Sequence, residues 1–191
     1  PIVSIDPVLA VPGVRDALGL SLVTASISTL LAALVGVPLA WLLANRSGAW
    51  LAVLRVLVTL PVVFPPVVGG VALLAAFGRR GLLGRPLETW YHVSIPFTSV
   101  AVVIAQTFVA MPFLVLSVEG ALRGLDSRID EAAATLGAGP TRRLFQVTLP
   151  SVRAGLAAGA ALCWARALGE FGATITFAGN FPGRTQTLPL A

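Results

Sequence analysis

The 191-residue chain contains no lysine, a single cysteine, a single histidine and few charges, which make up 11% of it. Each shortage excludes something. The phosphate-cradling P-loop needs a Lys, so that nucleotide site is not written here. Cys163 alone allows no intrachain disulfide, and its place inside an apolar run reads as inert packing. With His92 as the sole histidine, metal centres built on His/Cys clusters are out of reach, and a Ser-His-Asp centre would have to use His92. A soluble domain is typically about 25% charged. At 11%, a soluble monomer would leave large apolar patches against water. Disorder is excluded as well, since it needs low hydrophobicity and high net charge.

What is abundant is apolar: 57% of residues are hydrophobic and the mean hydropathy is +0.91. Four apolar runs, about 17–44, 54–77, 95–118 and 152–178, are each long enough to cross a bilayer as a helix. A crossing of about 30 Å takes roughly 20 helical residues. The expected fold is an all-α, polytopic transmembrane helix bundle in one domain. Pro38, Pro61, Pro65, Pro66 and Pro112 fall inside the runs, where neighbouring helices re-satisfy the freed backbone groups. Pro65-Pro66 followed by Gly69-Gly70 predicts a marked kink in the second span. Arg166 and Glu170 interrupt the fourth. Residues 1–16 read as an irregular or interfacial lead-in without the pattern of a cleavable signal. Trp41, Trp50, Trp90 and Tyr91 lie near span ends and fit an aromatic belt.

The net charge of +5 comes from Arg residues scattered between the runs. They read as loop charges of a membrane protein rather than as a nucleic-acid patch. If the spans alternate, the 45–53 and 119–151 connections share a side. That side holds Arg46, Arg55, Arg123, Arg128, Arg142, Arg143 and Arg153, seven against the five at Arg15, Arg79, Arg80, Arg85 and Arg184. The positive-inside rule makes the first group cytoplasmic.

The 119–151 connection is itself patterned. Asp126-Ser127 reads as an N-cap for a short helix through Leu136, with Asp130 and Glu131 placed early, where carboxylates suit the helix dipole. Gly137-Ala138-Gly139-Pro140 stops that helix and restarts another, Thr141 to Leu149, ended by Pro150. Periodicity alone leaves open whether this helix-turn-helix is more than an amphipathic re-entry loop.

The residues Glu131-Ala132-Ala133, then Gly137, then Val147-x-Leu149-Pro150 resemble the "EAA" loop of ABC importer permeases. In that family the loop is a coupling helix seated in a groove of the ATP-binding subunit. Arg166 to Asn180, Pro182 to Pro189 and Gly78 to Gly84 are similar to molybdate permease subunits. Sulfate permeases share Leu168-Gly169-Glu170, but usually carry Tyr-Gly-Ser where this chain has Phe171-Gly172-Ala173. The resemblance runs from about Ala17 onward. Family members continue with at least one further span beyond the position of Ala191, so a partial subunit is expected.

The resemblance implies the type I ABC importer permease fold, in a multi-pass protein of a prokaryotic cell membrane. It implies a homodimeric pathway for molybdate or tungstate, and two ABC ATP-binding subunits docked on the coupling loops. An extracytoplasmic binding protein would deliver the oxyanion. ATP and Mg would be held by the partner ATPase, with no cofactor, metal or catalytic residue on this chain and no nucleic-acid partner. A sulfate, thiosulfate or other anion permease is the alternative within the class. A secondary transporter would need paired ionisable residues at the midplane, and only Arg166 and Glu170 qualify. An intramembrane enzyme would need a nucleophile-base or carboxylate pair, and Glu170 stands alone.

Several polar residues within spans have two readings. Glu170 and Arg166, four residues apart on one helical face, are either functional groups at membrane depth or a packing ion pair. Thr174, Thr176 and Asn180 either line a pathway or bond between helices. Ser21, Thr24 and Ser28 form a stripe expected to serve helix contact. Arg79 and Arg80 either attract an oxyanion or an acidic partner, or form a solvated loop.

Overall fold

The computed structural model describes residues 13–191, apart from the side chains of Ser127, Ile129, Asp130, Glu131, Pro140 and Thr141. The lead-in therefore lies largely outside the described residues, and its last part, from Val14, is already helical. The helices are α1 (Val14–Asn45), α2 (Ala49–Val63), α3 (Pro66–Phe77), α4 (Gly84–Tyr91), α5 (Ser99–Arg123) and α6 (Ser127–Thr135). Then come α7 (Pro140–Arg143), a π turn (Leu144–Thr148) leading into Leu149–Ser151, α8 (Arg153–Leu168) and α9 (Gly172–Phe177). No strand occurs among the described residues.

Two helices, α1 and α5, are long and apolar enough to cross a membrane alone. The pair α2–α3, and Leu144–Ser151 with α8, qualify only as bent spans, with bends of 119° and 64°. The expected kink at Pro65-Pro66 is thus a full break of the 54–77 run. Phe64 and Pro65 are extended, and the helix restarts with Pro66, whose missing N–H costs nothing in a first turn. The 152–178 run is broken too, at Gly169–Phe171. Three other boundaries move. The 45–53 connection shrinks because α2 begins at Ala49; the 78–94 loop contains α4; and α5 runs on to Arg123, so that Glu119 belongs to a helix and not to a loop.

α1 and α5 lie side by side and parallel. Ser28 Oγ donates to Val103 O (3.1 Å) and contacts Gln106 Oε1 (3.2 Å), while Arg123 Nη2 donates to Leu43 O at the far end (2.8 Å). A nearly constant sequence offset over five turns is what two parallel helices give. Ser28 thus serves helix contact; Ser21 accepts from Leu188 N of the C-terminal 3-10 turn at 2.7 Å, and Thr24 instead donates to Leu20 O of its own helix at 2.8 Å. α8 runs antiparallel to α5: Ser117 Oγ donates to Gly155 O, and Gly159 faces Ser117 and Leu114. Two apolar clusters result. One joins Ala32, Leu43, Val58, Leu114, Val118 and Cys163 near the end that carries the 119–151 connection. The other joins Leu73, Ala101, Val102, Ala105, Ala173 and Phe177 at the opposite end. The broken α2–α3 segment therefore runs from one end of α5 to the other.

Small residues set these distances, as expected where lipid offers apolar side chains no reason to leave it. A Cβ on Gly70 would stand 2.8 Å from Ala173 O, and one on Gly159 would stand 2.9 Å from Ser117 Cβ. Gly159→Leu is expected to push α8 off α5, at the cost of about 1–3 kcal/mol usual for overpacking. The check is folded yield and thermal midpoint in detergent, with Gly159→Ala giving a smaller loss. An unchanged midpoint for the Leu variant would show that α8 is not seated there.

Candidate functional site

The helix-turn-helix at one end of the bundle is built by local chemistry. Asp126 Oδ1 accepts from Arg128 N at 3.0 Å, satisfying an orphan donor of α6. At the other terminus Ala138 N donates to Ala133 O and Gly137 N to Ala134 O, both at 3.0 Å. This paired closure needs a left-handed residue, and Gly137 supplies it with φ +81°. Space around Gly137 is open, so the demand for glycine is conformational and not one of crowding.

The second arm differs from expectation. Pro150 does not end it. The backbone widens into a π turn, with Leu149 N reaching Leu144 O and Thr148 Oγ1 donating to Arg143 O, and then continues helically through Ser151. A wider turn accommodates Pro150, which has no N–H to place in an ordinary ladder.

Of the residues singled out in this loop, Ala132 and Pro150 are exposed, and Ala133, Val147 and Leu149 are half-buried. The Glu131 side chain lies outside the described ones. Two apolar residues not singled out are strongly exposed in the same connection: Leu136, 88% exposed, and Phe145, 62% exposed. Large apolar side chains within a polar connection were the signal available for them. With Ala132 they are exposed apolar side chains in an otherwise polar connection that also carries a row of small residues, a composition met in docking surfaces.

The polar residues of the fourth run gather at its break. α8 ends at Leu168, and Glu170, 1% exposed, turns back on both halves. Its Oε2 pairs with Arg166 Nη1 at 2.5 Å, and its Oε1 accepts from Ala173 N, in the first turn of α9, at 2.8 Å. One carboxylate thus ties the end of one half-helix to the start of the next. Thr176 Oγ1 donates to its own helix at Gly172 O, and Asn180 Nδ2 donates to Leu190 O at 3.0 Å. Thr174 is fully buried, and its hydroxyl has no hydrogen-bond partner among the described residues. Thr176 and Asn180 therefore bond within their own segment, apart from the Arg166–Glu170 pair.

A further polar cluster escaped the sequence reading. Glu119 Oε1 accepts from Arg55 Nη2 (2.5 Å) and Arg123 Nε (2.8 Å) where the ends of α1 and α5 meet the first turns of α2. The spacing Glu119-x-x-x-Arg123 was a signal for one of these contacts. The other links residues 64 apart.

Apolar spans, a broken and pinned helix, and a helix-turn-helix with exposed apolar side chains at one end define an integral membrane helix bundle. Residues 36–191 match the family described as "Binding-protein-dependent transport system inner membrane component", and the chain belongs to that family of ABC importer permeases. It is 52% identical to the molybdenum transport system permease protein ModB of Mycobacterium tuberculosis over 182 residues, covering 95% of this chain and 69% of that one. It is 42% identical to ModB of Escherichia coli over 172 residues, covering 90% and 75%. It is also 37% identical to a probable transport system permease protein, NifC, of Clostridium pasteurianum, covering 90% and 60%.

Proposed function

We propose that this permease forms, as a homodimer in a prokaryotic cell membrane, the pathway of an ATP-driven importer for molybdate or tungstate. The observation that carries the mechanism is a helix-turn-helix, closed by Gly137, on which the apolar residues Ala132, Leu136 and Phe145 stand exposed. Two ATP-binding subunits seat there, one per permease, and hold the ATP and Mg. An extracytoplasmic binding protein delivers the oxyanion at the opposite end. Closure of the ATP-binding subunits moves α6 and α7, and the attached spans tilt to alternate access. The names of the relatives and the Phe171-Gly172-Ala173 sequence support molybdate or tungstate over sulfate.

Uptake of labelled molybdate by vesicles holding the permease, its ATP-binding subunit and the binding protein tests this. Uptake is expected to require all three and ATP, and to persist in excess sulfate. Abolition by sulfate would move the substrate to the sulfate class. Uptake driven by an ion gradient without ATP would remove the importer reading.

The orientation follows from the same proposal. In a Cys163→Ser background, Thr135→Cys is expected to resist an impermeant thiol reagent in intact cells, and Thr89→Cys to react. The reverse pattern would invert the topology.

A further inference from the structure

Glu119 stands one turn before the end of α5 with its side chain 7% exposed, while its partners Arg55 and Arg123 are 42% and 49% exposed. The anion is therefore the desolvated member and the one that depends on its partners. Both guanidiniums also donate to Leu43 O, Arg55 at 3.3 Å and Arg123 at 2.8 Å. Leu43 O is among the last carbonyls of α1, which lack intrahelical partners and carry the negative end of the helix dipole. Two cations converge on one helix end, and Glu119 offsets their mutual repulsion. Three chain segments meet there: the end of α1, the first turns of α2 and the end of α5.

Position makes the cluster more than a staple. Arg123 is the last residue of α5, and only Gly124, Leu125 and Asp126 separate it from α6. Any displacement of α6 reaches Arg123 first. Were Arg123 unattached, the joint at 124–126 would absorb the movement. Attached through Glu119 to Arg55 and directly to Leu43, it carries α1 and α2 along.

We infer that Glu119, clamped between Arg55 and Arg123, is a positioning residue that makes the ends of α1, α2 and α5 move as one body when α6 is displaced. This rests on the reading that α6 and α7 seat on an ATP-binding subunit. The clamp converts that subunit's closure into movement of the spans. Without it the subunit binds and hydrolyses, and the stroke is lost at the joint.

The test uses the permease with its ATP-binding subunits and binding protein in proteoliposomes, in the Cys163→Ser background. Spin labels at Trp50→Cys and Gly124→Cys report the distance between the start of α2 and the end of α5, the two elements that Glu119 joins through Arg55, without nucleotide and with ATP bound. With Glu119 present the distance is expected to stay fixed. Glu119→Gln is expected to shift and broaden it on ATP binding, to retain the ATP-binding subunits and basal hydrolysis, and to lose most of the molybdate transported per ATP. Glu119→Asp keeps the charge and is expected to restore most of that stoichiometry.

A native stoichiometry and fixed distance in Glu119→Gln would overturn the clamp, as would a Glu119→Asp variant no better than Gln. Should Glu119→Gln not accumulate, Arg55→Gln frees α2 alone and carries the same test: native transport per ATP there overturns the clamp, and a fall supports it. Failure of the seating reading looks different, because the ATP-binding subunits would then be absent from the purified complex of the unaltered chain, and the clamp would fall with it.

Discussion

Placing Glu at Ala133 is expected to stop oxyanion uptake while leaving the permease inserted and dimeric. Ala133 is half-buried even in the isolated chain, and its carbonyl closes the α6 terminus on Ala138 N. A partner groove over α6 would cover the rest. A larger residue overpacks that contact, and a carboxylate brings a charge into it without a partner. Burying even a neutral polar group unpaired costs roughly 2–7 kcal/mol. At about tenfold per 1.4 kcal/mol, seating weakens by well over tenfold. Gly137→Val reaches the same end by another route. No side chain blocks a Cβ at Gly137, but φ +81° is left-handed, and a β-branched residue is strained there. Relief of the strain unlocks the closure on Ala133 and Ala134, so α6 and α7 no longer hold their angle. Co-purification of the ATP-binding subunit and binding-protein-stimulated hydrolysis check both variants. Normal values in both would remove the coupling assignment.

Much of this was legible in the sequence because it rests on local or repetitive signals. Apolar runs reveal membrane helices wherever they fold. Asp126 as a cap and Gly137 as a left-handed stop are each decided within a few residues. The breaks were less legible. Pro65-Pro66 announces a kink, but its size depends on what receives the second half, and Gly70 meeting the Ala173 backbone is a contact between residues about a hundred apart. At Gly169–Phe171 no proline marks the break. The fourth run stops because Glu170 bonds to Ala173 N and to Arg166, and hydropathy alone does not record where a carboxylate turns. The Glu119 cluster was least legible. Its members come from three helices, and Arg55 and Arg123 look like ordinary loop charges until α2 is seen to begin before Arg55 and α5 to run on to Arg123.

The second large effect concerns Glu170. Glu170→Gln is expected to lower the stability of the assembled permease sharply while leaving its substrate preference unchanged. Gln still accepts from Ala173 N, so the start of α9 stays capped. What is lost is the counter-charge of Arg166, whose side chain is 26% exposed. Breaking a buried pair costs about 3–5 kcal/mol, and the partial exposure of Arg166 puts the expectation at the lower end. Glu170→Leu should cost more, because it also strands the Ala173 N–H. The informative rescue is therefore Arg166→Leu combined with Glu170→Gln, which removes the unpaired cation and keeps the cap. A rescue with Leu at both positions restores less. Thermal midpoints of the purified complex rank the variants: native above the Gln–Leu double, then Glu170→Gln, then Glu170→Leu. If Glu170→Gln assembles with a native midpoint and nonetheless loses uptake, the pair serves the transport pathway, and its role in holding the broken span is wrong.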